Sequence, residues 1–106
     1  MIDTLAIDIG GTKIDAARVD GDGRILERYR LPTKGATAEE LFAGLVALVK
    51  PLLAGGSLGG CGVGCGGPMT SGGEEVSPLN IPQWRSFPLR ARLAERLGMP
   101  VVVDND

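Results

Sequence analysis

The chain has 106 residues, 11 Lys and Arg against 13 Asp and Glu, a formal net charge of −2, and no histidine. That length suits one domain, and the near-neutral charge excludes the dense basic surface that nucleic-acid backbones demand. Without histidine there is no Ser-His-Asp or Cys-His catalytic group and no His-ligated zinc, and two cysteines cannot complete a four-thiolate metal site. Chemistry must come from carboxylates, amines, hydroxyls and backbone N–H groups.

Residues 2–9 alternate, with Leu5, Ile7 and Ile9 on one strand face and Thr4, Ala6 and Asp8 on the other. Gly10-Gly11-Thr12 breaks that run, and Lys13 to Asp20 predicts a second strand. Asp20-Gly21-Asp22-Gly23 predicts a tight hairpin turn, because Asp-Gly supplies the positive φ such turns need. Its acids share the opening of a calcium loop, but Arg24 stands where an oxygen ligand belongs and no glutamate closes the loop. Arg24 to Leu31 follows as a third strand.

Thr37-Ala38-Glu39-Glu40 has the spacing of a capping box. Behind it Leu41, Leu45, Leu48 and Leu52 form one row and Phe42, Val46, Val49 and Leu53 the next, a stripe suited to packing on a sheet. Pro51 is expected to kink or tighten the last turn. Gly60 to Gly64 predicts a short buried strand, and Glu75-Val76 a small extended segment. Ser86 or Phe87 is expected to open a second helix with the stripe Leu89, Leu93, Leu97, stopped by Gly98 with Pro100 beyond. Val101 to Val103 predicts a last buried strand that delivers Asp104-Asn105-Asp106 at its carboxyl end.

The N-terminal stretch carries acids and no basic leader. The apolar pattern from Leu41 to Ala54 is too short for a bilayer and holds Lys50 and Pro51. Cys61 and Cys65 are expected to be buried thiols of a cytoplasmic protein.

The order βββ-α-β-α-β predicts an α/β fold whose mixed sheet starts antiparallel and continues parallel. Ligands in such sheets sit at the carboxyl ends of strands. Three polar features fall there: Asp8 to Thr12, Gly64 to Pro68, and Asn105-Asp106. Their convergence at one rim is the central expectation.

Seventeen glycines are more than twice the usual ~7% share. Gly10-Gly11 lets successive N–H groups face one concavity, a nest for phosphate. Thr12 adds a hydroxyl donor, and Asp8 is placed to hold magnesium, directly or through water. An ordinary glycine hairpin is the alternative reading. It is no Walker loop, since the four-residue spacer is missing and a strand follows. Gly62-Val63-Gly64-Cys65-Gly66-Gly67 matches the dinucleotide fingerprint as a string, but Pro68 and a polar loop follow instead of a helix. A turn whose backbone closely approaches a small ligand fits better. Asp106 can orient and deprotonate a substrate hydroxyl, with Asn105 beside it as donor and acceptor, while Asp104 reads as structural.

Asp8-Ile9-Gly10-Gly11-Thr12-Lys13 resembles the first phosphate motif of the actin-like sugar kinases. Gly62 to Pro68 is similar to the GxGxxGP loop of one branch, the ROK family of repressors and kinases. Ser77-Pro78-Leu79-Asn80-Ile81-Pro82-Gln83-Trp84 resembles its SPNLxxW stretch, with Asn80 one step out of register. Phe87 to Val101 resembles the helix leading to its V-E-N-D strand, with Asp104 in place of Glu.

The resemblance implies a ribonuclease-H/actin-like lobe and an ATP-dependent enzyme acting on a hexose or N-acylhexosamine. By that analogy Asp106 is the base for the sugar hydroxyl, and Gly66, Gly67, Asn80 and Asn105 contact the sugar. Gly10, Gly11, Thr12 and Lys13 face the ATP phosphates, Lys13 without a defined task, and Asp8 lies near magnesium. It also implies that residues 1–106 are the N-terminal lobe, stopping before a C-terminal lobe that carries the zinc site, second phosphate loop and adenine pocket. Such a lobe alone is expected to be inactive and to expose normally covered apolar surface, and the intact enzyme is expected to be a homodimer. The partners are a small sugar and a nucleotide, with no nucleic acid and no membrane. A sugar-sensing regulator of the same family, or a non-catalytic sugar- or phosphate-binding fragment, are the competing readings.

Overall fold

The computed structural model describes residues 2–105. Three strands open the chain as an antiparallel meander: β1 (Asp3–Ile9), β2 (Lys13–Val19) and β3 (Ile25–Pro32). The hairpin between β2 and β3 forms as its sequence dictates. Gly23 takes φ 85°, and the Asp20 carboxylate accepts from the N–H groups of Asp22 and Arg24, both at 2.9 Å. That carboxylate is thus occupied in building the turn.

Helix α1 (Ala38–Leu53) begins with the expected capping box: the Thr37 hydroxyl accepts from the Glu40 N–H, and the Glu40 carboxylate accepts from the Thr37 N–H. Pro51 does not break it. The helix closes with the Ala54 N–H donating to the Pro51 carbonyl, a tightened last turn.

Strand β4 (Leu58–Cys65) runs two residues earlier and one later than its glycine-rich centre suggests, because parallel pairing to β1 extends it at both ends. Helix α2 (Leu89–Leu97) starts later than expected. Phe87 exchanges two 2.9 Å backbone hydrogen bonds with Val76, which holds it extended, and Ser86 sits at φ 48°. Helical geometry can begin only after Pro88, and Gly98 ends it at φ 66°. The extended segment expected at Glu75-Val76 reduces to bridges made by Val76 alone. Strand β5 (Val101–Asn105) completes the sheet.

The sheet order is β3-β2-β1-β4-β5, with β4 parallel to both β1 and β5. One face carries Leu5, Ile7, Ile9, Ile14, Cys61, Val63, Cys65, Val101 and Val103, buried in one cluster with the apolar stripes of both helices. On the other face Thr4, Ala6, Asp8, Gly62, Val102 and Asp104 stand exposed. Period-two alternation decides this division. Cys61 and Cys65 are both buried, and burial pushes the Cys61 thiol up to about 12, which leaves it unreactive near neutrality. Four residues apart on one strand, the two sulfurs' backbone positions differ by roughly 13 Å, too far for a disulfide.

Trp84, fully buried, anchors the loop that precedes α2. Its ring stacks on Phe87 at 4.7 Å and its indole N–H donates to the Ala38 carbonyl at 3.2 Å. Arg92 lies 4.3 Å above the Phe42 ring and makes two 2.7 Å bonds to Glu39, tying α2 to the first turn of α1. At the amino ends of β1 and β4, Arg18 is buried. It donates to the Asp3 carboxylate and to the carbonyls of Leu52, Gly56 and Ser57, so its charge also meets the carboxyl end of α1. Neither helix is long and apolar enough to cross a membrane.

Candidate functional site

The opposite end of the sheet is built differently. The β1–β2 turn (Gly10 to Thr12) and the turn that leaves β4 (Gly66, Gly67) lie side by side there, because β1 and β4 are parallel neighbours with Ile9 opposite Cys65. Asn105 pairs with Cys65 at the end of β5, so all three strands finish level.

A cavity of about 260 Å³ opens between these turns, lined by Gly10, Gly11, Gly66 and Gly67 together with Asn80 and its neighbours Pro78, Leu79 and Ile81. Two of the glycines lie against asparagine side chains, and Gly11 is sterically required. A Cβ on Gly11 would stand 2.5 Å from the Asn80 Cβ, and one on Gly67 would stand 2.8 Å from the Asn105 amide nitrogen. Each asparagine therefore rests directly on a glycine turn, so both turns carry a polar side chain as a wall.

The rim thus brings together Gly10, Gly11, Gly66, Gly67, Asn80 and Asn105. Thr12 and Lys13 are exposed and line neither this cavity nor its neighbours. Asp8 does not join the group: alternation puts it on the outer face, where it lines a separate cavity of about 250 Å³ with Asp15 and Arg28. In register, Asp15, Asp8, Gly64 and Asp104 form one row across β2, β1, β4 and β5. The hydrogen bond from Arg30 at 2.8 Å holds the Asp15 carboxyl below its ordinary value. Asp106 lies outside the described residues.

Among the described residues no group of three His, Cys, Asp or Glu side chains could cage a metal ion. A lone exposed carboxylate such as Asp8 does fit magnesium, which keeps most of its waters and binds through one or two carboxylates plus phosphate oxygens.

Three features of this end carried no local signal in the sequence. Leu79, an exposed apolar side chain at 76% accessibility, lines the cavity beside Asn80. Thr33 and Gln83 make long-range hydrogen bonds beneath it. All three depend on segments distant in the chain, which periodicity cannot pair.

A five-stranded sheet in the order 3-2-1-4-5, with helices on one face and glycine turns at the carboxyl rim, defines a ribonuclease-H/actin-like lobe. Residues 4–106 match the model of the ROK family, and the chain belongs to that family. It is 35% identical over 103 residues to a glucokinase of Streptomyces coelicolor, covering 97% of this chain and 32% of the relative. It is 39% identical over 107 residues to an N-acetylmannosamine kinase of Citrobacter koseri, covering 97% and 36%. A ROK glucokinase from Streptomyces griseus, solved with glucose and AMPPNP, superposes with TM-score 0.85 and 38% identity over 97% of this chain and 33% of that one. The chain spans about a third of the length of these relatives.

Proposed function

We propose that residues 1–106 form the N-terminal lobe of an ATP-dependent kinase that phosphorylates a hydroxyl of a hexose or N-acylhexosamine. The observation that supports this reading is the meeting of two glycine turns, each walled by an asparagine, at one rim of the sheet. A sugar presents a ring of hydroxyls, and a primary amide both donates to and accepts from such groups. Asn80 and Asn105 with the backbone of Gly66 and Gly67 would hold the sugar. Backbone N–H groups of Gly11 to Lys13 and the Thr12 hydroxyl would receive phosphate oxygens, the Gly10 N–H being engaged with the Lys13 carbonyl at 2.9 Å.

Asp106, one residue beyond Asn105, would accept the proton of the reacting hydroxyl as that oxygen attacks the terminal phosphorus. Phosphoryl transfer asks mainly for positioning and charge stabilisation, so an ordinary carboxylate suffices as base. Asp8 would hold magnesium, directly or through water, and the ion supplies charge neutralisation on the phosphates when bound. A second lobe would bring the adenine pocket and the zinc site, and the intact enzyme would be a cytoplasmic homodimer. The isolated lobe would turn over little or nothing.

The test joins residues 1–106 to the remaining two thirds of the S. coelicolor glucokinase and measures ADP release with glucose, fructose and N-acetylmannosamine. Turnover with at least one sugar is expected, falling about 10²–10⁴-fold in Asp106→Asn while sugar affinity changes little. A folded chimera whose Asp106→Asn form keeps most of its turnover would remove Asp106 from the mechanism.

A further inference from the structure

We propose that Thr33 and Gln83 are positioning residues: a two-step hydrogen-bond bridge aims the N–H groups of the Gly10–Thr12 turn and fixes that turn against the loop bearing Asn80. The inference rests on the phosphate role proposed for that turn.

Thr33 follows β3 and is only 2% exposed, one of two buried polar or charged residues among those described. Its hydroxyl donates to the Gly11 carbonyl at 2.7 Å, and its own N–H donates to the Thr12 carbonyl at 3.1 Å. A peptide unit is planar and trans, so its N–H points opposite to its carbonyl. Drawing the Gly11 carbonyl toward Thr33 therefore aims the Thr12 N–H away from it, and drawing the Thr12 carbonyl does the same for the Lys13 N–H. Those are two of the donors a phosphate nest needs. A turn with two consecutive glycines would otherwise sample many orientations of these planes.

The second step ties the bridge to the sugar side. The Gln83 amide nitrogen donates to the Thr33 carbonyl at 2.8 Å and to the Ala36 carbonyl at 3.2 Å. Gln83 belongs to a loop already braced by its own bonds, Ile81 N–H to Pro78 and Trp84 N–H to Ile81, and by the buried Trp84. Asn80 on that loop presses on Gly11. The three segments also enclose a second cavity of about 380 Å³, which shares Gly11 and Asn80 with the first. The phosphate turn and the sugar loop are thus referenced to each other through Thr33.

The test uses the 106-residue chain with inorganic tripolyphosphate as probe, and reads backbone amide exchange and shifts by NMR. Thr33→Val keeps the side-chain shape and loses only the hydroxyl. It is expected to shift the Thr12 and Lys13 amide resonances, to speed exchange of the Thr33 N–H that bonds the Thr12 carbonyl about tenfold, the equivalent of one hydrogen bond, and to weaken tripolyphosphate about as much. Thr33→Ser should restore all three, and Gln83→Leu, which removes the bond to the Thr33 carbonyl but leaves the Thr33 hydroxyl in place, should give a smaller change of the same kind. Glucose-induced shifts at Gly66 and Gly67 should persist in all variants. Exchange that rises uniformly through β1–β3, or a Ser variant that fails to restore the turn, would overturn the proposal. If the native chain binds no tripolyphosphate, the phosphate reading of the turn falls. The exchange arm then still decides whether Thr33 aims it.

Discussion

The two ends of this sheet both contain paired glycines beside polar groups, yet they do opposite things. At the amino ends of β1 and β4, the space over Gly55 and Gly56 is filled from within: a Cβ on Gly55 would meet the Arg18 guanidinium at 3.2 Å, and the Gly56 carbonyl accepts from the same group. At the carboxyl ends, Gly10-Gly11 and Gly66-Gly67 flank a cavity, and Asn80 and Asn105 beside them are exposed. One end satisfies its polar groups internally and closes. The other leaves two exposed asparagine side chains beside its glycine turns. A glycine pair in a sequence signals close approach, and only the tertiary partner tells whether a side chain of the same chain or a ligand makes that approach.

The largest way to sharpen this contrast is to empty the closed end. Arg18→Met removes the cation and leaves Asp3 and three carbonyls without it, so a loss of about 3–5 kcal/mol is expected in urea unfolding. Ligand responses at the far rim should survive wherever the variant is folded. Equal stability in the variant would show that Arg18 is not a lock.

A smaller effect is expected from crowding the open end. Gly11→Ala must displace Asn80, at about 1–3 kcal/mol for overpacking, and should abolish sugar-induced shifts at that residue. Gly62→Ala, with nothing within 4 Å of the added carbon, is the matched control and should leave binding intact. If both variants bind alike, the contact between Gly11 and Asn80 does not matter to the site.

The smallest effect separates neither end and reports the surface between them. Hydrogen bonds lower three carboxyl pKa values: from Arg30 to Asp15, from Arg92 to Glu39, and from the Thr37 N–H to Glu40. Each binds its proton less readily folded than unfolded, so its contribution is present above the unfolded value near pH 4 and is lost as pH falls through the lowered folded value. Urea midpoints should be flat from pH 7 to 5 and fall below pH 4, with Glu39→Gln flattening part of that fall. Because Glu39 and Glu40 are exposed, added salt should shrink it further. Midpoints constant down to pH 3 would mean these bonds contribute nothing in solution.

Much of the architecture was legible from local pattern. The alternation of Leu5, Ile7 and Ile9, the Asp20–Gly23 turn, the Thr37 capping box and the Gly98 stop all appear as expected, since each is decided by residues within one turn or strand. What misled was long-range pairing: Val76 claims Phe87 and delays α2, and β1 lengthens β4. The same holds at the rim. Gly10, Gly11, Gly66 and Gly67 announced themselves by composition, and strand-end logic placed Asn105 beside them. Alternation also sends Asp8 to the outer face, which strand-end logic alone did not separate from the cavity. Thr33, Gln83 and Arg18 act on segments 15 to 50 positions away in sequence, where no periodicity speaks.

The most direct measurement of the central claim is an amide-shift map of the chain titrated with glucose and N-acetylmannosamine to millimolar saturation. The account predicts shifts concentrated at Gly66, Gly67, Asn80 and Asn105, with Gly11 to Lys13 responding to tripolyphosphate. Shifts centred instead on the outer sheet face around Ala6, Gly62 and Val102, or on the Arg18 end, would contradict it.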